Sequence, residues 1–204
     1  MDIISPSIHI ETPIHQDLIY ANLERYGRTA YKSEDKITPD SSRKFLTFLI
    51  KRGHESVLEH ESITVRIICD RGVTHELVRH RIGVAFTQES TRYCNYAGGK
   101  VRFIQPDFTL EEDDLALLEA IEAHYNKKIA QGKSPQQARY FLPNGLKTEI
   151  VVTANIREWR HILLLRTSPN AHPQMQEVMN MILAVFKMEL PVLFGDNKKE
   201  CEVL

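Results

Sequence analysis

Two stretches of this chain carry the pattern of a β-strand, and they stand far apart. Residues 61–69 place Ile63, Val65, Ile67 and Cys69 on one face and Thr64, Arg66 and Ile68 on the other, and residues 148–154 read as a second buried strand. The other periodic segments are helical. A doubly wound sheet needs strands and helices in regular alternation, so the spacing points to an α+β fold instead: helices packed on a small, mostly antiparallel sheet, not a Rossmann fold. The 204 residues are read as a single domain, 1–204, with a core of ordinary size.

The helices carry their own punctuation. Thr38-Pro39 reads as an N-cap with Pro at the first helical position, opening a helix through Phe45, Phe48 and Leu49 that stops at Gly53. A short helix from about Val73 carries Leu77 and Val78 into Arg79-His80-Arg81. Thr109-x-x-Glu112 is a capping box for a helix continuing through Leu118, Ile121, Tyr125 and Ile129 towards Gly132. Ser134-Pro135 starts a short helix ending near Pro143, and Asn155 caps another that runs to about Arg166. Pro173 opens the last, with Met175, Val178, Met179, Ile182 and Phe186 inward.

Charge and cysteine usage narrow the function classes. With 26 Lys+Arg against 27 Asp+Glu, the chain is no general nucleic-acid coat, and any anion site must be local. Cys69, Cys94 and Cys201 are odd in number and form no C-x-x-C pair, which suggests neither a disulfide framework nor a cysteine zinc site. A reducing cytoplasm fits. The amino terminus has no basic and apolar leader, and no stretch approaches the roughly 18 apolar residues of a membrane span, so a soluble, unexported protein with no membrane partner is expected.

Three clusters could carry chemistry. In the first, Arg79-His80-Arg81 is followed after eight residues by Ser90-Thr91-Arg92-Tyr93. Residues two apart on a helix diverge by about 200°, so Arg79 and Arg81 cannot clamp one phosphate while both are helical. The intervening Ile82 to Glu89 is apolar in its first half for a surface loop. Gln88, Glu89, Ser90, Thr91 and Arg92 then offer donors and acceptors suited to a heterocycle edge and a phosphate, although a solvated helix end beside a loop would look the same.

The second cluster, His54-Glu55-Ser56-Val57-Leu58-Glu59-His60, invites a metal reading. The zinc-protease pattern, however, needs His at i and i+4, and on a helix His60 lies about 120° around from His54. Capping or hydrogen bonding is favoured there. The third is Asn155-x-Arg157-x-x-x-His161 with Arg166 beyond. Arg157 and His161 are i,i+4 neighbours, Arg166 sits about 140° from His161, and Ile162 to Leu165 argue that much of the helix is buried. Each of Arg166 and Arg139 is either an anion ligand or an arginine stabilising a helix end. There is no G-x-G-x-x-G and no phosphate-binding G-x-x-x-x-G-K-[ST] loop, and Cys94 has no activating motif.

Taken together, these residues resemble the flavin-dependent thymidylate synthases, whose signature is Arg-His-Arg, a spacer of seven or eight residues, and Ser. Here that is Arg79-His80-Arg81 to Ser90. The resemblance also takes in Gly53-His54-Glu55-Ser56 with Glu59-His60, Ala138-Arg139 to Leu142-Pro143, Asn155-x-Arg157, and His161 to Arg166 with Ala171-His172, covering about residues 43 to 190. It implies a homotetramer that makes dTMP from dUMP, with methylenetetrahydrofolate as carbon donor and NADPH reducing a bound FAD.

Carried over by position, the resemblance implies FAD contacts at Ser56, Arg79, His80, Arg81, Asn155, Arg157 and His161. It implies dUMP contacts at Glu76, Arg79, Gln88, Glu89, Ser90, Thr91, Arg92, Arg139 and Arg166, with Arg166 catalytic and no metal. Ser56 stands where Thr is often found, His161 where some members have Asn, and the spacer is the longer form, which affects the alignment of Gln88 and Glu89. Arg166 would stabilise negative charge on the pyrimidine, and Ser90, with no base placed beside it by sequence, would position dUMP. The divergent faces of Arg157, His161 and Arg166 suggest active sites shared between subunits. Two rival readings are a metal-dependent nucleotide phosphohydrolase built on His54, Glu55, Glu59 and His60, and a non-enzymatic nucleotide- or RNA-binding module using Arg79 to Arg92.

Overall fold

A computed structural model describes residues 1–195; Cys201 lies outside them. In chain order the elements are β1 (Asp2–Ile4), β2 (Ser7–Ile10), α1 (Gln16–Thr29), α2 (Ser41–Lys51), β3 (Ser62–Asp70), α3 (Arg71–Leu77) and β4 (Val84–Gln88). Then follow β5 (Arg102–Ile104), α4 (Glu112–Ala130), α5 (Pro135–Ala138), β6 (Lys147–Asn155), α6 (Ile156–Arg166), α7 (Pro173–Glu189) and α8 (Pro191–Phe194). Short 3-10 segments occupy Glu34–Lys36, Glu55–His60 and Arg139–Phe141. The fold is α+β: a small antiparallel sheet of order β2-β3-β6-β4, a separate parallel pair of β1 with β5, and helices for the rest.

Both strands expected from alternation are present. Ile63, Val65, Ile67 and Cys69 are buried on β3 while Thr64, Arg66 and Ile68 are half-buried. On β6, Thr148, Ile150, Val152 and Ala154 form the buried row. The supposed loop between Arg81 and Ser90 is in large part the strand β4, which the sequence reading missed. It lies at a sheet edge, where Val84, Phe86 and Gln88 are half-buried and Ala85 and Thr87 are exposed, so its alternation is shallow. The short strands β1, β2 and β5 carry too few residues for a period to show.

The chain divides into two compact units. One comprises residues 1–8, 66–79 and 86–151. Its core gathers Tyr96, Val101, Phe103, Tyr125, Ala138 and Leu146, and the Tyr125 hydroxyl accepts a hydrogen bond from the Tyr96 amide at 3.2 Å. The expected capping box at Thr109 is made two residues later. Glu111 caps α4 and Asp114 returns a bond to the Glu111 amide at 3.0 Å, because the acidic run offers carboxylates that the helix N-terminus attracts. Ser134 precedes a short helix as expected, and it also closes a capping box with Gln137.

The other unit comprises residues 9–65, 80–85 and 152–204, described as far as Gly195. Helix α7 buries Met175, Val178, Met179, Ile182 and Phe186, as the spacing predicted. Trp159 packs edge-on against Phe186 at 5.5 Å and donates from its indole nitrogen to the Ile63 carbonyl at 2.9 Å, so its polar atom is satisfied in the core. Helix α2 starts at Ser41 rather than just after Thr38. The Ser41 hydroxyl accepts from the Thr38 amide at 2.9 Å and donates to Glu24 at 2.8 Å, holding Thr38 to Asp40 in a turn. On α6, Ile162 and Leu163 are buried, but Leu164 is half-buried and Leu165 exposed, so the apolar run is less buried than its composition suggested.

Asp70 ends β3 and caps α3. Its Oδ1 accepts from the Val73 amide at 2.9 Å, whereas its buried Oδ2 has no partner among the described residues. Only one oxygen is needed for the cap. Asp70→Asn is therefore expected to stay within about 0.5 kcal/mol of the parent, and Asp70→Ala to lose about 1 kcal/mol, measured by urea unfolding. Equal losses in the two variants would show that the charge, not the cap, matters.

Candidate active site

The Arg79-His80-Arg81 segment is not helical. Helix α3 ends at Leu77, and the Arg79 amide closes a tighter turn onto the Glu76 carbonyl at 3.2 Å, so the divergence argued from helical phase does not apply. Arg79 and Arg81 are both exposed, while His80 between them is buried. Gly83 follows with φ of +66°, and a Cβ there would come within 2.4 Å of the Asn155 side-chain nitrogen.

Asn155 is both the end of β6 and the cap of α6, as predicted, and its side-chain oxygen accepts from the Glu158 amide at 2.8 Å. That bond sets the phase of the helix. Asn155, Arg157 and His161 consequently line one cavity of about 620 Å³, together with Glu158 and Arg160. Glu59 pairs with Arg157 and Glu55 with Arg160 at 3.3 Å. Ser56 is exposed on the 3-10 segment, between Glu55 and Glu59. His60 packs its ring against Tyr26 at 5.1 Å.

These contacts agree with the hydrogen-bonding role favoured for His54 to His60, whose two carboxylates pair with arginines. Among the described residues, the metal-capable group of three is His80, Glu158 and His161, whose ligand atoms lie within 4.8 Å of one another. The hydrogen bonds give that group another use. Arg166 donates from Nε to His80 Nε2 at 3.0 Å, and His80 Nδ1 faces the Glu158 carboxylate at 3.3 Å. Since Nε2 accepts, the imidazole proton sits on Nδ1, the nitrogen a metal would need bare.

The Arg166 bond also revises an expectation. Arg166 was placed on a face away from the FAD set, yet it touches His80, whose ring packs edge-on to His161 at 5.9 Å. Burial, then Arg166 and His161, lower the His80 pKa to about 4, so this histidine is neutral at physiological pH. Burial raises the Glu158 pKa, opposed by His161 and Arg157.

The first unit holds most of the expected dUMP contacts. Arg139 donates to the buried Thr91 hydroxyl at 3.0 Å, and Arg92 donates to Gln136 at 3.1 Å, which ties Ser90 to Arg92 onto α5 and the turn after it. The Ser90 hydroxyl accepts from the Arg92 amide at 3.3 Å, and among the described residues no imidazole or carboxylate is bonded to it. The Gln88 amide donates to Thr74 at 3.0 Å and Thr148 at 3.2 Å. Glu89 accepts from the Tyr96 hydroxyl and the Lys147 ammonium, each at 2.8 Å. Glu76 is half-buried on α3.

Comparison with known proteins then decides the family. The family described as "Thymidylate synthase complementing protein" matches residues 17–192. A flavin-dependent thymidylate synthase of Corynebacterium efficiens is 33% identical over 203 residues, covering 88% of this chain and 80% of its own length. One of Pyrococcus furiosus is 34% identical over 167 residues, covering 78% and 68%. The chain belongs to the flavin-dependent thymidylate synthase family. The crystal structure of the UMP/dUMP methylase PolB from Streptomyces cacaoi, bound with 5-Br dUMP, shares the fold, with a TM-score of 0.78 over 96% of each chain at 23% identity.

For this member of the flavin-dependent thymidylate synthase family, the sequence reading missed Glu158. Its position three before His161, on the same helical face, was the available signal. It also missed Lys147 and Tyr96 as the partners of Glu89. Lys147 and Glu149 share one face of β6, which marks a charged row beside the strand end.

The His80 arrangement has a measurable titration. A lowered pKa means the proton binds only in acid, so the His80 ring is expected to titrate by NMR near pH 4. In Arg166→Ala the loss of a neighbouring positive charge should move the midpoint upward, and burial should keep it below the ordinary 6.5. An unchanged midpoint in that variant would remove Arg166 from the account.

Proposed function

We propose that the protein is a flavin-dependent thymidylate synthase, methylating dUMP to dTMP with methylenetetrahydrofolate as carbon donor and NADPH as reductant of FAD. The family match across residues 17–192 carries this reading. The phosphohydrolase alternative loses its basis, since Glu55 and Glu59 are paired with Arg160 and Arg157.

The donor set suits the cofactor. A cavity of about 620 Å³ lies within the range of roughly 300–1,000 Å³ usual for cofactor sites. Asn155, Arg157 and His161 would hold FAD there, Arg157 exchanging Glu59 for an anionic group of the cofactor, with His80 packed behind His161. Ser56, Arg79 and Arg81 complete the proposed set. Bound FAD, once reduced, supplies the hydride that turns the transferred carbon into a methyl group.

The chain's own residues do the rest. C5 of uracil is a poor nucleophile, and it becomes a better one as negative charge builds on the ring. Arg166 stabilises that charge. A neutral imidazole accepts from its Nε and adds no charge of its own. Arg92, Arg139 and Arg79 supply positive charge for the nucleotide phosphate, with Ser90 and Thr91 orienting it. Glu76, Gln88 and Glu89 belong to the same proposed set, although Gln88 and Glu89 already bond within their own unit and act mainly on the shape of the segment. The reading extends to a cytoplasmic homotetramer whose active sites draw on more than one subunit.

The purified protein should show an oxidised-flavin absorbance band, alone or after incubation with FAD, and should form dTMP from dUMP when methylenetetrahydrofolate and NADPH are supplied. The absence of both flavin binding and dTMP formation under those conditions would refute the reading. Ser90→Ala should keep more than about a tenth of the turnover at saturating dUMP, whereas loss of a true nucleophile costs about 10³-fold or more.

A further inference from the structure

Helix α6 is tied to itself through a residue that is not part of it. Glu158 stands in its first turn and Arg166 is its last residue, about 12 Å further along the axis, and both side chains meet the ring of His80. The carboxylate is 3.3 Å from Nδ1 and the guanidinium Nε is 3.0 Å from Nε2. His80 is buried, so its ring has little water to turn to.

We propose that Glu158 is a positioning residue: its carboxylate keeps the His80 proton on Nδ1, leaving Nε2 as the acceptor that aims the Arg166 guanidinium. The proposal rests on the reading in which Arg166 stabilises charge on the pyrimidine. An imidazole with its proton on Nε2 would set one donor against another at Arg166, and the bond would be lost. A carboxylate that fixes a histidine tautomer is a known means of holding such a ring in register. The cap survives any change of the Glu158 side chain except to proline, because the Asn155 oxygen takes its bond from the Glu158 main chain.

The test uses the flavin-loaded enzyme with ¹⁵N-labelled histidine, the His80 signals being assigned by their loss in His80→Gln. Wild-type His80 should show a protonated Nδ1 and a bare Nε2. In Glu158→Ala the Nε2-protonated form should appear and kcat for dTMP formation should fall about tenfold or more, with KM for dUMP changing less than about twofold. Glu158→Gln, whose carbonyl oxygen can still accept from Nδ1, should restore the wild-type tautomer and most of the rate. A wild-type proton on Nε2, an unaltered tautomer in Glu158→Ala, or a shifted tautomer with an unchanged kcat would each overturn the proposal. The spectra need no turnover, so the expected tautomer in a protein that makes no dTMP would count against the assigned reaction and not against the geometry.

Discussion

The bond from the Glu158 amide to the Asn155 side chain fixes where extended backbone gives way to helix, and the chemistry of one unit depends on that point. Moving the start of α6 by one residue would rotate Arg157, Glu158, His161 and Arg166 by about 100° together. Three of these, Arg157, Glu158 and His161, line the cavity beside Asn155, and Glu158 and Arg166 reach His80. Gly83 belongs to the same constraint, since a side chain at that position would collide with the Asn155 carboxamide. A cap that elsewhere contributes about 1 kcal/mol here also sets the angular position of several functional groups.

Electrostatics separates two uses of similar residues. His80, Glu158 and His161 are close enough to hold a cation, but with a guanidinium bonded to Nε2 and a proton on the nitrogen facing Glu158, the His80 ring offers no bare nitrogen. The same guanidinium, with burial, keeps the ring neutral. Elsewhere in the chain, Glu89 accepts from both Tyr96 and Lys147, so an acidic residue beside the Ser90 segment is already paired at 2.8 Å on each oxygen.

Much of the fold was legible because burial wrote it into the sequence. The two long strands alternate cleanly, and Asn155 and Pro173 mark helix starts that the structure keeps. What escaped was set by partners distant in sequence or by too few residues. The edge strand β4 buries little, Ser41 moves the start of α2 by bonding Glu24, and an acidic run moves the cap of α4. For the site, the motif residues could be named from their resemblance to a family. The contact between His80 and Arg166, eighty-six positions apart, had no local signature. Helical phase was also the wrong tool for Arg79 and Arg81, because the helix had already ended.

Main chain and side chain carry separate duties at position 158. Every amino acid except proline brings an amide hydrogen to that turn, so drift there leaves the scaffold intact while altering how firmly the neighbouring ring keeps its proton. A lineage can therefore explore the reactivity of this site by single substitutions that need no compensating change in the fold. Position 155 has no such latitude, since its side chain itself closes the turn.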